Sequence, residues 1–188
     1  MTVSLNLSGK FLIATPGMGD PRFEHSVILI CAHSDDGAMG LIVNKPADEV
    51  TFPDLLKQLG IEDEGQGSSP PICLGGPVEH ARGFVLHSMD YDRSDTTLEV
   101  PGGYGMTATL DILQDIAGGR GPARAMLALG YSGWAPGQLE AEIADNGWLI
   151  GDASPELIFD IEAPKRWTKA LENMGVDALA LSATAGRA

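Results

Sequence analysis

The side chains of this sequence best suited to covalent or acid–base chemistry are two thiols, Cys31 and Cys73, and four imidazoles, His25, His33, His80 and His87. A thiol attacks as its thiolate and needs a neighbouring base or cation, so a catalytic reading groups Cys31 or Cys73 with His33 or His87. The four histidines lack an HExxH or comparable spacing and read as solvated or core imidazoles rather than a metal centre. With no CxxC pairing, the cysteines suggest neither a zinc ribbon nor a disulfide framework. Cys31 falls inside an apolar run, where a buried thiol behaves as a small apolar residue. No metal or cofactor is expected.

Two glycine-rich turns could bring backbone close to a ligand. Gly130-Tyr131-Ser132-Gly133-Trp134 approaches a nucleophile elbow, but that motif needs glycine at the fifth position, where this chain has Trp134. A phosphate loop would need Lys followed by Ser or Thr after its last glycine, whereas Gln138 and Leu139 follow Gly137. Gly75-Gly76-Pro77 could likewise admit a ligand to the main chain, although turning is its simpler use. The candidate ligand-binding residues are therefore Gly75, Gly76, Pro77, His87, Tyr131, Trp134, Gln138 and Glu142. They qualify only if the fold gathers Gly75–Pro77, His87 and Gly130–Gln138 around one concave pocket.

The elements that must position these residues follow from local patterns. Ala125–Leu129 reads as a short strand ending at Gly130. Gly133, Pro136 and Gly137 form a turn, and Gln138–Asp145 is a helix with Leu139 and Ile143 on its apolar face. Gln138, Glu142 and Asp145 share its polar side, and Asn146-Gly147 stops it before an extended run from Trp148 to Ile150. Upstream, Phe11–Thr15 is a strand, and Ser26–His33 and Met39–Asn44 flank a Ser-Asp-Asp-Gly turn as a β-hairpin. Thr51 is the N-cap of a helix with Leu55, Leu56 and Leu59 on its apolar face, stopped by Gly60. Residues 61–71 are a loop.

Ile72-Cys73-Leu74 and Gly83–Met89 are strands on either side of the Gly-Gly-Pro turn. Leu98–Val100 and Tyr104–Thr107 form a further hairpin, and Thr109 caps a helix over Leu110–Ala117 with Leu110, Leu113 and Ala117 on one face. Pro155–Asp160 is a brief apolar segment. Pro164–Met174 is a helix with a Trp167, Leu171 and Met174 stripe, and Ala178–Leu181 is a last strand. Strands and short helices alternate without regular βαβ spacing, which points to an α+β domain.

The chain has 188 residues, enough for one domain with a proper core, and no linker divides it. Its formal charge of −14 comes from 26 acids against 12 bases, and only residues 164–188 carry a local excess of base. That balance disfavours direct nucleic-acid binding, which depends on Lys and Arg neutralising phosphate. No apolar run reaches the length of a membrane span and the N-terminus lacks a signal-peptide pattern, so neither membrane nor export is expected.

The blocks FLIATPGMGDPRFEHSVILICAH, GAMGLIVNKP, CLGGPVEHARGFVLH, LGYSGWAPGQLEAEIADNGWL and RWTKALENMGVDALALSATAGRA occur in that order. Together they resemble the YqgE/AlgH family of small bacterial proteins over nearly the whole chain. The resemblance implies a single α+β domain spanning 1–188, built on coiled, branching, mostly antiparallel β-sheets with flanking short helices, in the cytoplasm. It carries no established reaction and no catalytic residues. Where this chain has Ser132 the family pattern often has Ala, which argues against a nucleophile there. Part of the family is labelled transcriptional regulator, in the context of exopolysaccharide control. The expected function is thus a non-enzymatic regulatory or binding protein acting through a protein partner or a small ligand. The alternative is an enzyme with a Cys/His site.

Overall fold

A computed structural model describes residues 6–63, 65, 69–91, 97–108 and 110–175, in which nine strands form one curled, mostly antiparallel sheet with five short helices around it. The strands are β1 (Lys10–Ala14), β2 (Val27–Ser34), β3 (Gly37–Ile42), β4 (Ile72–Leu74), β5 (Val78–Ser88), β6 (Thr97–Val100), β7 (Tyr104–Thr107), β8 (Ala125–Trp134) and β9 (Trp148–Asp152). The helices are α1 (Phe52–Gln58), α2 (Leu110–Ala117), α3 (Gln138–Ala144), α4 (Pro155–Phe159) and α5 (Ala163–Asn173). Hydrogen-bonded neighbours follow the order β6-β7-β5-β8-β3-β2-β1-β9, and β4 branches off by pairing parallel with β8.

The apolar runs of β1, β2 and β3 are continuous rather than alternating because both faces of this part of the sheet are covered. Phe11, Leu29 and Leu41 join one core with Leu157 and Leu171 from α4 and α5. Their neighbours Leu12, Ile28 and Ile42 point the other way, into a second core with Trp134, Leu139 and Trp148. A third core puts Phe52 and Leu56 of α1 and Ile112, Leu113 and Ile116 of α2 over Ile72, Val85 and Leu127. The hairpin of the two apolar runs is present, with Ile28 opposite Ile42 and Leu29 opposite Leu41.

Several local features follow the sequence and others depart from it. Thr51 forms a full capping box with Asp54 on α1, and Asn146 has φ 63° just beyond α3. Leu59, Leu110 and Met174, assigned to apolar faces, are instead 41%, 50% and 37% exposed. The burial falls on Phe52, Ile112 and Ile116, because tertiary packing selects the helix face. Pro155–Asp160 folds as α4, capped by the Ser154 hydroxyl accepting from Leu157 N–H. The cap at Thr109 and the strand at Ala178–Leu181 lie outside the described residues.

The largest departure concerns β8, which does not stop at Gly130 but continues to Trp134. Its first half lies between β4 and β5, with Leu127 opposite both Ile72 and Val85. Its second half pairs with β3, Ser132 opposite Gly40 and Trp134 opposite Ala38. Gly130 marks the change of neighbours with φ +76°, and a Cβ there would sit 2.7 Å from the Gly76 carbonyl oxygen. Gly133 lacks a positive φ. A Cβ on it would first meet the Tyr131 ring at 3.5 Å, an ordinary contact. Of the three glycines in this stretch, Gly130 and Gly137 carry positive φ, +76° and +78°, whereas Gly133 does not.

Gly130→Ala is accordingly expected to destabilise the protein by about 1–3 kcal/mol. Gly133→Ala should stay within about 0.5 kcal/mol of wild type or improve on it, since Ala fits an exposed strand position better than Gly. Urea denaturation of the two variants beside wild type checks both. A larger loss in Gly133→Ala than in Gly130→Ala would contradict this account of β8.

Candidate functional site

Gly75-Gly76 and Gly130-Tyr131-Ser132 do come together, but as backbone packed on backbone. A Cβ at Gly75 would lie 2.3 Å from the Gly130 carbonyl oxygen, and one at Gly76 would lie 2.2 Å from the Tyr131 carbonyl. The Gly75 N–H donates to the Leu129 carbonyl at 2.8 Å. The Gly75 carbonyl accepts from the Ile42 N–H at 2.9 Å and from the Ser132 hydroxyl at 3.2 Å. Ser132 is fully buried, and its hydroxyl is engaged in fixing this crossing. The space a ligand would need is filled by main chain.

Candidate bases and thiols can be followed in the same way. The Leu7 N–H donates to His33 Nδ1 at 3.0 Å, so the ring proton sits on Nε2 and is donated to Glu140 Oε1 at 2.5 Å. Neither ring nitrogen of His33 is left over for a substrate. Two residues away, the Cys31 thiol donates to the Leu29 carbonyl at 3.7 Å, and burial pushes its pKa up to about 12. His87, fully buried, donates from Nδ1 to the Ser88 carbonyl at 2.8 Å and accepts at Nε2 from the Thr107 hydroxyl at 2.9 Å. Thr107 in turn accepts from the Thr97 hydroxyl at 2.7 Å, which completes the chain. His25 and His80 are exposed.

Gln138 and Glu142 serve the aromatic cluster beside α3. Glu142 Oε1 accepts from the indole N–H groups of both Trp134, at 3.3 Å, and Trp148, at 3.0 Å, while Oε2 accepts from Gln138 at 3.0 Å. The Gln138 side-chain oxygen Oε1 accepts from the Ala135 N–H at 3.0 Å. One carboxylate thus orients two nearly buried indoles that meet edge to face, with ring centroids 6.3 Å apart.

The sequence-derived candidates therefore fall into three places. Gly75, Gly76, Pro77 and Tyr131 belong to the crossing, and Trp134, Gln138 and Glu142 to the aromatic cluster. His87 lies opposite Ala125, five strand positions from Gly130 and so roughly 17 Å along β8. Gly75–Pro77, His87 and Gly130–Gln138 therefore do not line one common pocket, the condition for their forming a single ligand site.

At Cys73, one of the two candidate thiols, the structure supplies a partner and a cleft that the sequence reading missed. The Cys73 thiol neighbours the guanidinium of Arg166, and both line an open cleft of about 340 Å³ between β4 and the start of α5. Arg166 is only 5% exposed. Its Nε donates to the Ile161 carbonyl at 2.7 Å, and Nη1 donates to the Val43 carbonyl and approaches Met126 Sδ at 3.9 Å. Burial raises the Cys73 pKa, with Arg166 opposing, and lowers that of Arg166, with Cys73 opposing. The signal in the sequence was slight: Arg166 and Ala170, at i and i+4, form a second buried face of α5 beside the Trp167 stripe. Among the described residues no group of three or more His, Cys, Asp or Glu is placed to hold a metal ion.

Glu142→Ala is expected to cost about 1.5–3 kcal/mol, because hydrogen bonds to a charged acceptor are lost and two buried indole N–H groups are orphaned. The intrinsic tryptophan emission should change with it. An unchanged urea midpoint in this variant would show that the carboxylate does not hold the cluster.

His87 gives the stability a pH dependence of fixed sign. Burial lowers its pKa below the ordinary 6.5, with the Ser88 carbonyl and Asp90 opposing. Below about pH 6.5 the unfolded chain binds this proton more readily than the folded one, so the contribution is full above that pH and is lost on acidification. Asp20 and Asp90, whose pKa values are lowered by Arg22 and Ser88 respectively, lose theirs only at still lower pH. Denaturation midpoints should fall as pH drops just below about 6.5, and His87→Gln should flatten that part of the curve. An unaltered slope in the variant would remove His87 as its source.

A family model described as AlgH-like matches residues 11–179 of the chain. A UPF0301 protein of Ruegeria pomeroyi is 60% identical over 185 residues, covering 98% of this chain and 100% of that protein. Another, from Cereibacter sphaeroides, is 55% identical over 184 residues and is likewise covered in full. The solution structure of the AlgH protein from Pseudomonas aeruginosa superposes with a TM-score of 0.76 at 38% identity, covering 100% of this chain and 99% of that one. A crystal structure of a Corynebacterium diphtheriae protein shares the fold, with a TM-score of 0.71 at 23% identity over 92% of this chain and 90% of its own. Model, relatives and structures agree over nearly the full length, and the chain belongs to the AlgH-like family.

Proposed function

We propose that this protein works by binding rather than by catalysis, as a cytoplasmic regulatory protein that acts through a protein partner or a small ligand. One observation carries this reading: Ser132, the two thiols and the imidazoles of His33 and His87, the side chains grouped for nucleophilic chemistry, are engaged inside the fold. Ser132 bonds the Gly75 carbonyl, both ring nitrogens of His33 and of His87 are occupied, and the Cys31 thiol is held protonated by burial. Cys73 has Arg166 rather than an imidazole beside it, and burial outweighs the guanidinium's pull on its proton. The regulator label attached to part of the family fits a role of this kind. A net charge of −14 opposes direct reading of DNA, so control of transcription would run through the partner or ligand. No helix among the described residues is long and apolar enough to cross a membrane.

The test separates binding from thiol catalysis. In a strain lacking the gene, Cys31→Ala and Cys73→Ser, which removes the thiol but keeps the shape of the cleft wall, are expected singly and together to restore the wild-type transcript profile, provided each variant's denaturation midpoint shows it folded. Removing a buried sulfur should cost each variant about 1–2 kcal/mol, which a stable domain tolerates. A folded cysteine variant that fails to restore the profile would overturn the non-enzymatic reading.

A further inference from the structure

Arg166 carries a positive charge that the surrounding protein solvates without neutralising. Its hydrogen bonds run to the carbonyls of Ile161 and Val43, and its remaining neighbours are the sulfurs of Met126 and Cys73. No carboxylate among the described residues pairs with it. The two acids at the rim of the cleft have partners of their own: Asp160 meets Arg124 at 3.1 Å and Glu162 meets Lys165 at 3.5 Å. Nε and Nη1 hold these carbonyl bonds and the guanidinium also hydrogen-bonds the Cys73 thiol, so every partner it has among the described residues is uncharged. A buried charge without its counterion is costly, and such a charge lining a cleft favours an anion that enters there.

We propose that this cleft binds a small organic carboxylate with an apolar body. Pro46, Pro71, Phe159 and Ile161 supply apolar walls around Cys73 and Arg166, and about 340 Å³ suits a metabolite rather than a peptide. The charge count selects a monoanion. One carboxylate neutralises one guanidinium, whereas a phosphate dianion would retain a negative charge beside Asp160 and Glu162. The hydrogen-bond count agrees, because Nε and Nη1 already donate to carbonyls and Cys73 adjoins the guanidinium, which leaves it room to meet a single oxyanion rather than clamp a tetrahedral group. The start of α5 also lies at the cleft, and the positive end of its dipole adds to the same preference. This ligand class takes the binding reading as its premise and gives that reading a site.

The probe is benzoate, with benzyl alcohol as its neutral counterpart and inorganic phosphate as the dianion. Each is titrated into the ¹⁵N-labelled full chain at constant ionic strength. Saturable shifts at the amides of Cys73, Ile161 and Ala163 are expected with benzoate below about 10 mM. Benzyl alcohol and phosphate should each bind at least tenfold more weakly. Arg166→Gln should abolish the shifts but risks the fold, since Arg166 also ties Val43 to Ile161. Ala163→Asp avoids that risk: it places a carboxylate at the first position of α5, where a helix favours one, and neutralises the cleft. It should weaken benzoate at least tenfold with the spectrum otherwise unchanged. The proposal is overturned if the three amides show no saturable shift, if benzyl alcohol or phosphate binds as tightly, or if Ala163→Asp binds benzoate undiminished. Any of these leaves the cysteine complementation result standing. Failed complementation with benzoate still bound would remove the non-enzymatic reading and keep the cleft.

Discussion

The fold depends on one contact, the crossing of Gly75-Gly76 over Gly130-Tyr131-Ser132. Two main chains approach there to distances that no side chain could share, with the nearest virtual Cβ atoms 2.2–2.3 Å from carbonyl atoms. This approach lets β8 take β4 and β5 as neighbours before Gly130 and β3 after it. A sheet that branches in this way would leave main-chain groups unpaired at the junction, at a cost comparable to a lost hydrogen bond each. The Gly75 amide and carbonyl and the Ser132 hydroxyl complete the pairing. The hydroxyl that resembled a nucleophile in the sequence is an acceptor's missing donor in the structure.

The same economy of polar groups recurs through the molecule. His33 links the chain before β1 to α3, His87 ties β5 to β7 through Thr107, and Glu142 joins two indoles to the start of α3. Each is a polar side chain in a largely apolar setting whose acceptors and donors are matched by specific partners, as burial demands. Such groups mimic catalytic residues when only their types are known. They lie in three separate places, and each ties together different elements of the fold.

How much was legible in the sequence followed the range of the interactions. The β2–β3 hairpin, the Thr51 cap and the Asn146 stop are local, and each was written in neighbouring residues. The exposure of Leu59 and Leu110 and the continuation of β8 to Trp134 depend on partners far along the chain. A glycine inside a strand and a glycine ending one look alike until the crossing segment is known, so Gly130 reads as the end of a strand that in fact bends there and runs on to Trp134. The glycine runs at Gly75-Gly76 and Gly130 read as places for close approach to the main chain, and the partner that approaches in the structure is another backbone. Arg166 was hidden for a different reason, since a basic residue on a helix is ordinarily solvated.

That last case bears on how a protein of charge −14 comes to bury a guanidinium with no carboxylate beside it among the described residues. Placing an acid beside Arg166 would neutralise the charge, but it would also close the cleft and desolvate a second ion, often with no net gain. Carbonyl dipoles from Val43 and Ile161 hold the cation in place and tie the end of β3 to the entry of α5. They leave its charge unspent. The arrangement therefore separates two tasks that a salt bridge would merge: dipoles give Arg166 its structural role, and the absent counterion leaves the cleft with a preference for a negatively charged occupant. An arginine needed only as a strut would have no reason to line an open cavity, and one needed only as an anion receptor would have no reason to bind two carbonyls so closely.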